Sequence, residues 1–440
     1  MSKPLVAVVR YENPLDSVKK TVELCQGLEN LPANANVFIK PNIVFWTMAT
    51  VFPKWGVITT SRVVEDMVIL LKEHGVKNIT IGEGSVTMKL NDTQTIAHAF
   101  DSLGYSRLKE RYGVNCVNIL ERPFEELDLG DGVELSFNTD ILKSDFVVNL
   151  PVLKTHAQTV ISLGVKNLKG VIDIPSRKKC HSADPEKSLH FMVARLADKM
   201  PPMFTLIDGI YANERGPSMD GRIVRTNLLI GSNDVLAADF VGSKILGYMP
   251  SDIPHLSYAA KNHGRNPDLS DIEVTGESIE DVSTPLQYDF PYNEEGTLPV
   301  PLELKGIKGV SYRKYDLTMC TYCSGLNSII LTAIAAAWKG KPWDGVEVLT
   351  GKSMTPSPNS KKTILLGKCM CKLHKDNPDI REMIPVNGCP PQPKVIIKAF
   401  HKAGIDIDPG LLENMEHLPG FLMERYRKRP EFEESFFQVE

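Results

Sequence analysis

Five cysteines crowd the last third of the chain: Cys320-x-x-Cys323, Cys369-x-Cys371, and Cys389 followed by Pro390 and Pro391. A thiolate is a soft ligand, and four of them at one point bind zinc or an iron–sulfur cluster. The two-residue spacing between Cys320 and Cys323 lets one tight turn aim both sulfurs at one centre. Structural zinc sites usually show two compact ligand pairs, whereas ferredoxin-type runs end in Cys-Pro, as Cys389-Pro390 does. The favoured reading is one iron–sulfur cluster, of the 4Fe–4S type, on Cys320, Cys323, Cys369 and Cys389. Cys369 is preferred because it ends a predicted strand, and Cys371 is the reserve third ligand. A zinc site and a metal-free set of buried thiols are the alternatives, since free cysteine also packs as a small hydrophobe. Cys25, Cys116 and Cys180 are not assigned as ligands.

A second constellation lies in the first half. The apolar run FVVNL ends at Pro151, and Lys154, His156, Lys166, Asn167 and Lys169 follow closely. Ligands of open α/β sheets bind beyond the carboxyl ends of strands. Lysines gathered there make a site for a carboxylate or phosphate, and His156 suits general acid–base work. Any single lysine is more often merely solvated, so the grouping carries the argument. Other predicted strands end in Lys40-Pro41-Asn42, Gly82-Glu83-Gly84-Ser85 and Asp208-Gly209. In a parallel sheet these ends share one edge. Lys154, His156 and Glu83 are then catalytic candidates, and Lys40, Asn42, Ser85, Lys166, Asn167, Lys169 and Asp208 substrate-binding ones. Asp239, on a predicted helix, reads as a buried cap or hydrogen-bond partner. Lys178-Lys179-Cys180-His181 reads as a flexible loop with a lid as the sharper alternative. Neither a Walker A sequence nor a dinucleotide fingerprint is present.

The elements that must position these residues alternate in type. Strands are predicted at Leu5–Val9, Val37–Lys40, Ile79–Gly82, Val114–Ile119, Asp145–Leu150, Thr205–Asp208 and Asn227–Ile230. Amphipathic helices are predicted at Ser61–Glu73 and Val235–Leu246. That alternation is the signature of an α/β fold with a mainly parallel sheet flanked by helices. A proline-rich, acidic stretch between about Pro285 and Pro301 marks a boundary. It separates an α/β domain over 1–285 from a smaller C-terminal α+β cysteine-ligand domain over 302–440. In the latter a buried helix Ser324–Trp338, strands Val346–Thr350 and Thr363–Leu366, and one or two terminal helices within Leu411–Glu440 are expected.

The 440 residues are 42% hydrophobic and 24% charged, with a net charge of −4. This is a globular composition that gives no reason to expect nucleic acid or a polybasic membrane contact. No apolar run has the roughly 18 residues of a spanning helix, and the N-terminus lacks a signal-peptide layout. Eight cysteines in such a chain suit a reducing compartment, so a cytoplasmic protein is expected.

Lys40-Pro41-Asn42, Gly82–Ser85, the block LPVLKTHAQTVISLGVKNLKGVI over Leu150–Ile172, Asp208-Gly209 and Asn233–Gly247 together resemble the domain-of-unknown-function 362 family. The resemblance covers roughly the first 280 residues. It implies an α/β domain often joined to iron–sulfur ligand motifs. The tandem ferredoxin-type repeats of many members are absent here, which implies a single cluster. From the residues themselves we expect an iron–sulfur oxidoreductase acting on an anionic small molecule near Lys154 and His156. Its electrons would come from a donor such as ferredoxin. A bound flavin is an alternative acceptor that no motif indicates, and a homo-oligomer is compatible with the sequence. The competing expectations are a non-redox lyase, isomerase or hydrolase with a structural or Lewis-acid metal, and an electron-transfer carrier.

Overall fold

A computed structural model describes residues 3–84 and 92–439. The chain folds as two compact units. The first holds residues 1–177, 190–289 and 420–440, and the second 178–189 and 290–419. The stretch expected to hold the boundary contains the break at 289/290. Two segments depart from a linear division: 178–189 joins the second unit and 420–440 returns to the first.

The main sheet of the first unit has the strand order Glu273–Gly276, Leu5–Arg10, Arg222–Ser232, Met203–Glu214, Phe146–Leu150, Asn36–Pro41, Asn78–Glu83 and Asn115–Asn118. Arg222–Ser232 pairs antiparallel with both its neighbours, and every other pairing along this path is parallel. The expected α/β class is therefore observed. All five residues of Phe146–Leu150 are buried, as a parallel strand covered on both faces requires. The helix Ser61–Glu73 forms over the expected span and buries Val63, Val64, Met67, Leu70 and Leu71.

Pro151 interrupts the central strand, but the chain resumes as a strand at Val152–His156 beside Met203–Glu214. Lys154 and His156 thus stand on a strand of their own beyond Pro151. They are two residues apart, so they share a face. Pairing registers set Lys40 opposite Asn149 and Asn149 opposite Thr205. One row of polar side chains therefore crosses three strands, at the carboxyl ends of the first two and near the start of Met203–Glu214.

The second unit has four strands, Val310–Tyr312, Val346–Leu349, Lys362–Leu366 and Met383–Val386, in sequence order and all parallel. It is more regular than the α+β arrangement expected. Its long helix begins at Thr321, three residues earlier than expected, and ends at Ala337. Only one face is buried, through Tyr322, Leu326, Ile330, Ala333 and Ile334.

The terminal helices are corrected. The tail forms helices of one turn each rather than long ones: α-helical at Pro409–Glu413 and Leu418–Phe421, and 3-10 at Leu422–Arg425 and Glu434–Phe437. Pro419 and Pro430 interrupt any longer helix. Tyr426, Phe432, Phe437 and Val439 join the first unit's core, and the ring of Phe432 lies 5.4 Å from that of Trp55. Among the described residues no helix is long and apolar enough to cross a membrane.

Gly82 marks how tightly the strand ends are packed. A β-carbon there would lie 2.2 Å from Cζ of the buried Phe38 ring. Gly82→Ala should therefore lower stability by about 1–3 kcal/mol, read from denaturant unfolding. An unchanged midpoint would mean that the Phe38 ring swings aside freely.

Candidate functional site

Lys40 leaves its strand into a fully enclosed environment and forms an ion pair with Glu83 from the neighbouring strand end. Its ammonium also donates to the Pro41 carbonyl at 2.5 Å. Both Glu83 oxygens are engaged: Oε2 accepts from the Ile43 amide at 3.1 Å and Oε1 from the Gly84 amide at 2.8 Å. Glu83, expected as a proton-transfer group, is thus held as the counter-charge of Lys40. Gly170 packs its backbone on the pair, since a β-carbon there would lie 2.9 Å from Lys40 Nζ. Arg177 ties the surrounding loops together, donating to the carbonyls of Gly84 at 2.7 Å, Gly170 at 2.6 Å and Ile172 at 3.0 Å.

Lys154 is as buried as Lys40, but among the described residues its ammonium reaches only a carbonyl, that of Val57 at 3.3 Å. Asn42 donates to the same carbonyl at 2.6 Å. Burial and the nearby Lys40 charge lower the Lys154 pKa to about 7, against a smaller opposing pull from Glu83. Lys154 is therefore an amine that changes charge near neutrality, the form used by catalytic bases and nucleophiles. His156 accepts from the Gln158 amide through Nδ1 at 3.0 Å, so the neutral ring carries its proton on Nε2.

Lys166 sits on the short helix Gly164–Asn167, and burial and the charges of Lys169 and Lys154 push its pKa well down. Asp239 positions that helix, accepting from the Gly164 amide at 2.6 Å and the Val165 amide at 2.9 Å. This is the buried hydrogen-bonding role the sequence suggested. Burial lifts the Asp239 carboxyl to about 7. Asn167 bridges Asn149 at 2.8 Å and the Lys40 carbonyl at 3.3 Å. Asp208 holds the turn at Thr60 and Ile210 through their amides, at 2.7 and 3.1 Å, and burial lifts its carboxyl to about 6. Asn42, Asn167 and Asp208 thus spend these polar atoms on the protein itself. Ser85 lies outside the described residues.

Two residues that sequence reasoning missed belong to this region. His190 and His255 are buried with their rings stacked, centroids 5.7 Å apart. Burial, then the charge of Lys166, lowers His190 to about 4. His255 is pushed well down by burial, His190 and Lys166. A lone histidine far along the chain from the basic block gives no local signal. Only the fold joins them.

In the second unit three segments bring the cysteines together. Cys320 caps the helix Thr321–Ala337, its carbonyl accepting from the Cys323 and Ser324 amides at 3.0 Å each. Gly367 approaches Cys323 so closely that a β-carbon would lie 3.2 Å from the sulfur. Cys369 lies not at a strand end, as expected, but in the short helix Lys368–Leu373. Its segment and that of Cys389 are joined by Gly367 N to Val386 O and Lys368 N to Gly388 O, both 2.9 Å. Hydrogen bonding from the Cys323 thiol, with help from the Tyr322 and Cys323 amides and the Lys352 ammonium, brings the Cys320 pKa down to about 6. Cys323 is pushed up in turn, mainly by Cys320, with Cys369 and Cys389 adding to it. The four preferred cysteines therefore interact with one another. Cys371 turns the other way: its sulfur donates to the Leu365 carbonyl at 3.5 Å and packs on the core of Leu349, Leu365 and Met370.

The segment expected as a flexible loop is built in. His181 is buried, its Nδ1 lying 2.9 Å from the Leu317 carbonyl, and Lys352 donates to the Lys178 and His181 carbonyls. Among the described residues no three histidine, cysteine or acidic side chains close on one point as a single ion requires. Tetrahedral zinc would draw its sulfurs to within about 4 Å of each other.

Residues 37–244, which span all but one edge of the first unit's sheet, match the family model described as a domain of unknown function, DUF362. The match includes Lys40, Glu83, Lys154, Lys166 and Asp239 and excludes the clustered cysteines and His255. A thylakoid-associated protein of Synechocystis is 34% identical over 140 residues. The alignment covers 31% of this chain and 43% of that relative, less than half its length. The lactate racemase apoprotein from Thermoanaerobacterium thermosaccharolyticum overlaps 56% of this chain and 57% of its own, with 16% identity and a TM-score of 0.38.

Lys154 makes a stability prediction with a defined sign. Its folded pKa lies below its unfolded value, so the penalty for burying the ammonium is complete below about pH 7. The penalty fades as pH rises through the window from about 7 towards the ordinary lysine range. Lys154→Met should stabilise the protein by about 1–4 kcal/mol at pH 6, and less at pH 9. Denaturant midpoints at the two pH values check this, and a gain that grows with pH would refute it.

Proposed function

We propose that this DUF362-domain chain is an iron–sulfur-binding oxidoreductase acting on an anionic small molecule. The observation that carries the reading is the convergence of Cys320, Cys323, Cys369 and Cys389 from the start of one helix, a short helix that follows a strand, and the loop after the adjacent strand. A bound cluster would supply one-electron transfer, taking electrons from a ferredoxin-class donor and passing them on towards the substrate. The chain's own residues support the metal side in two ways. The amino end of the 17-residue helix Thr321–Ala337 favours negative charge, and Lys352 and Lys178 act as cations on Cys369. On the substrate side, Lys154 and Lys166 supply amines that become cationic beside an anion. His156, with its proton on Nε2, and Lys154 are the groups suited to deliver the proton that accompanies reduction. The proposed setting is the cytoplasm, because a chain with eight cysteines, five of them grouped as candidate metal ligands, suits a reducing compartment.

A non-redox lyase or isomerase is the second reading, and one observation favours it. A lysine near neutrality with only a carbonyl partner suits proton abstraction without any electron transfer.

Anaerobically purified protein should contain iron and sulfide and show broad visible absorbance that bleaches with dithionite. Cys369→Ala and Cys389→Ala should each lose most of the bound iron, while Cys371→Ala keeps it. A colourless protein containing zinc, or iron retained in all three variants, would sink the cluster assignment. An iron–sulfur protein that dithionite leaves unchanged would favour the non-redox reading.

A further inference from the structure

His190 and His255 are 6% and 0% exposed. His190 Nδ1 and both nitrogens of His255 have no hydrogen-bond partner. A buried nitrogen left unpaired is destabilising, and a ring pair needed for packing alone is better made of phenylalanine. The charge of Lys166 acts on both rings, and Lys169 and Lys154 act on Lys166. No carboxylate counters these three bases in that set of interactions. His190 already bonds the Gln158 backbone, so its Nδ1 and one nitrogen of His255 become N–H donors only on protonation, and among the described residues no carboxylate is seen to act on them.

We infer that Lys166, His190 and His255 form a binding site for a compact oxyanion, the carboxylate or phosphate group of this unit's substrate. The inference rests on the anionic-substrate reading above. A metal fits less well. An imidazole lone pair lies in the plane of its ring, and the two rings are only 17° from parallel, so their lone pairs do not converge on one ion. An oxyanion presents several oxygens and accepts donors that arrive in separate planes. It also stabilises the protonated forms of groups that burial keeps neutral. Binding must therefore draw protons from solution. A merely structural histidine stack would not do so.

The test is calorimetric titration of the full chain at pH 7.5 in two buffers of different ionisation enthalpy. Inorganic phosphate is the ligand in one arm and oxalate in the other. Wild-type protein should bind with uptake of about one proton, and the tighter arm identifies the group recognised. His255→Phe and Lys166→Met should each weaken binding by about tenfold or more and reduce the proton uptake. His255→Phe should unfold at an equal or higher denaturant concentration, which separates lost binding from lost folding. Undiminished binding and proton uptake in both variants would overturn this site and leave the anionic reading standing. Failure of wild-type protein to bind either oxyanion would remove both. Zinc binding that depends on His255, without oxyanion binding, would replace the site with a metal centre.

Discussion

The buried ion pair of Lys40 and Glu83 is the constraint on which the first unit's polar centre depends. Taking two charges out of water is expensive, and the attraction between them repays it only when their remaining hydrogen-bonding capacity is filled. Here it is filled: one carbonyl takes the ammonium and two backbone amides take the carboxylate. Those amides belong to the turns that follow each strand, so the pair fixes the turns as well as the charges. Gly170 must lack a side chain for its loop to cover the pair, and Arg177 ties that loop to the same strand end. Removing either charge would leave the other buried and alone, which destabilises more than the pair itself stabilises.

The same pair shapes its neighbour chemically. Lys40 keeps a carboxylate and Lys154 has none at bonding distance, although both are buried to the same degree. One lysine is thereby a structural cation and the other an amine of adjustable charge. Two identical side chains acquire different roles through a single contact, as pKa tuning in active sites generally works. In the second unit, Cys320 and Cys371 diverge for a comparable reason. The first shares a helix cap with other sulfurs and an ammonium, while the second donates to a strand carbonyl over an apolar core.

Much of this was legible in the sequence because it is written locally. The alternation of apolar strands with amphipathic helices predicts the α/β class, and polar residues at strand ends fall together once the strands run parallel. The Cys-x-x-Cys spacing and the strand before Cys369 favour the cysteines that the structure turns towards one another. What escaped is non-local. Pro151 reads as the end of a strand, yet an adjacent strand lends its edge and pairing resumes at Val152. Residues 420–440 look helical by composition, but their aromatic side chains pack together and against Trp55 in the first unit's core. His190 and His255 lie 65 positions apart with unremarkable neighbours. Nothing at either position signals a stacked pair beside Lys166.

The arrangement of these bases also resolves an apparent conflict between stability and affinity. A pocket permanently charged at Lys154, Lys166 and both histidines would repel itself strongly in a low-dielectric interior. Desolvation removes that difficulty by holding the groups close to neutral, and the residual burden is a few unpaired nitrogens. In the oxyanion site proposed above, the charge that recognises an anion would arise when the anion arrives, together with protons from the solvent. Such a site discriminates by charge as well as shape, because a neutral analogue supplies no field to offset protonation of the buried bases. It also ties recognition to proton availability at the strand ends, where Lys154 and His156 stand two residues apart on one face.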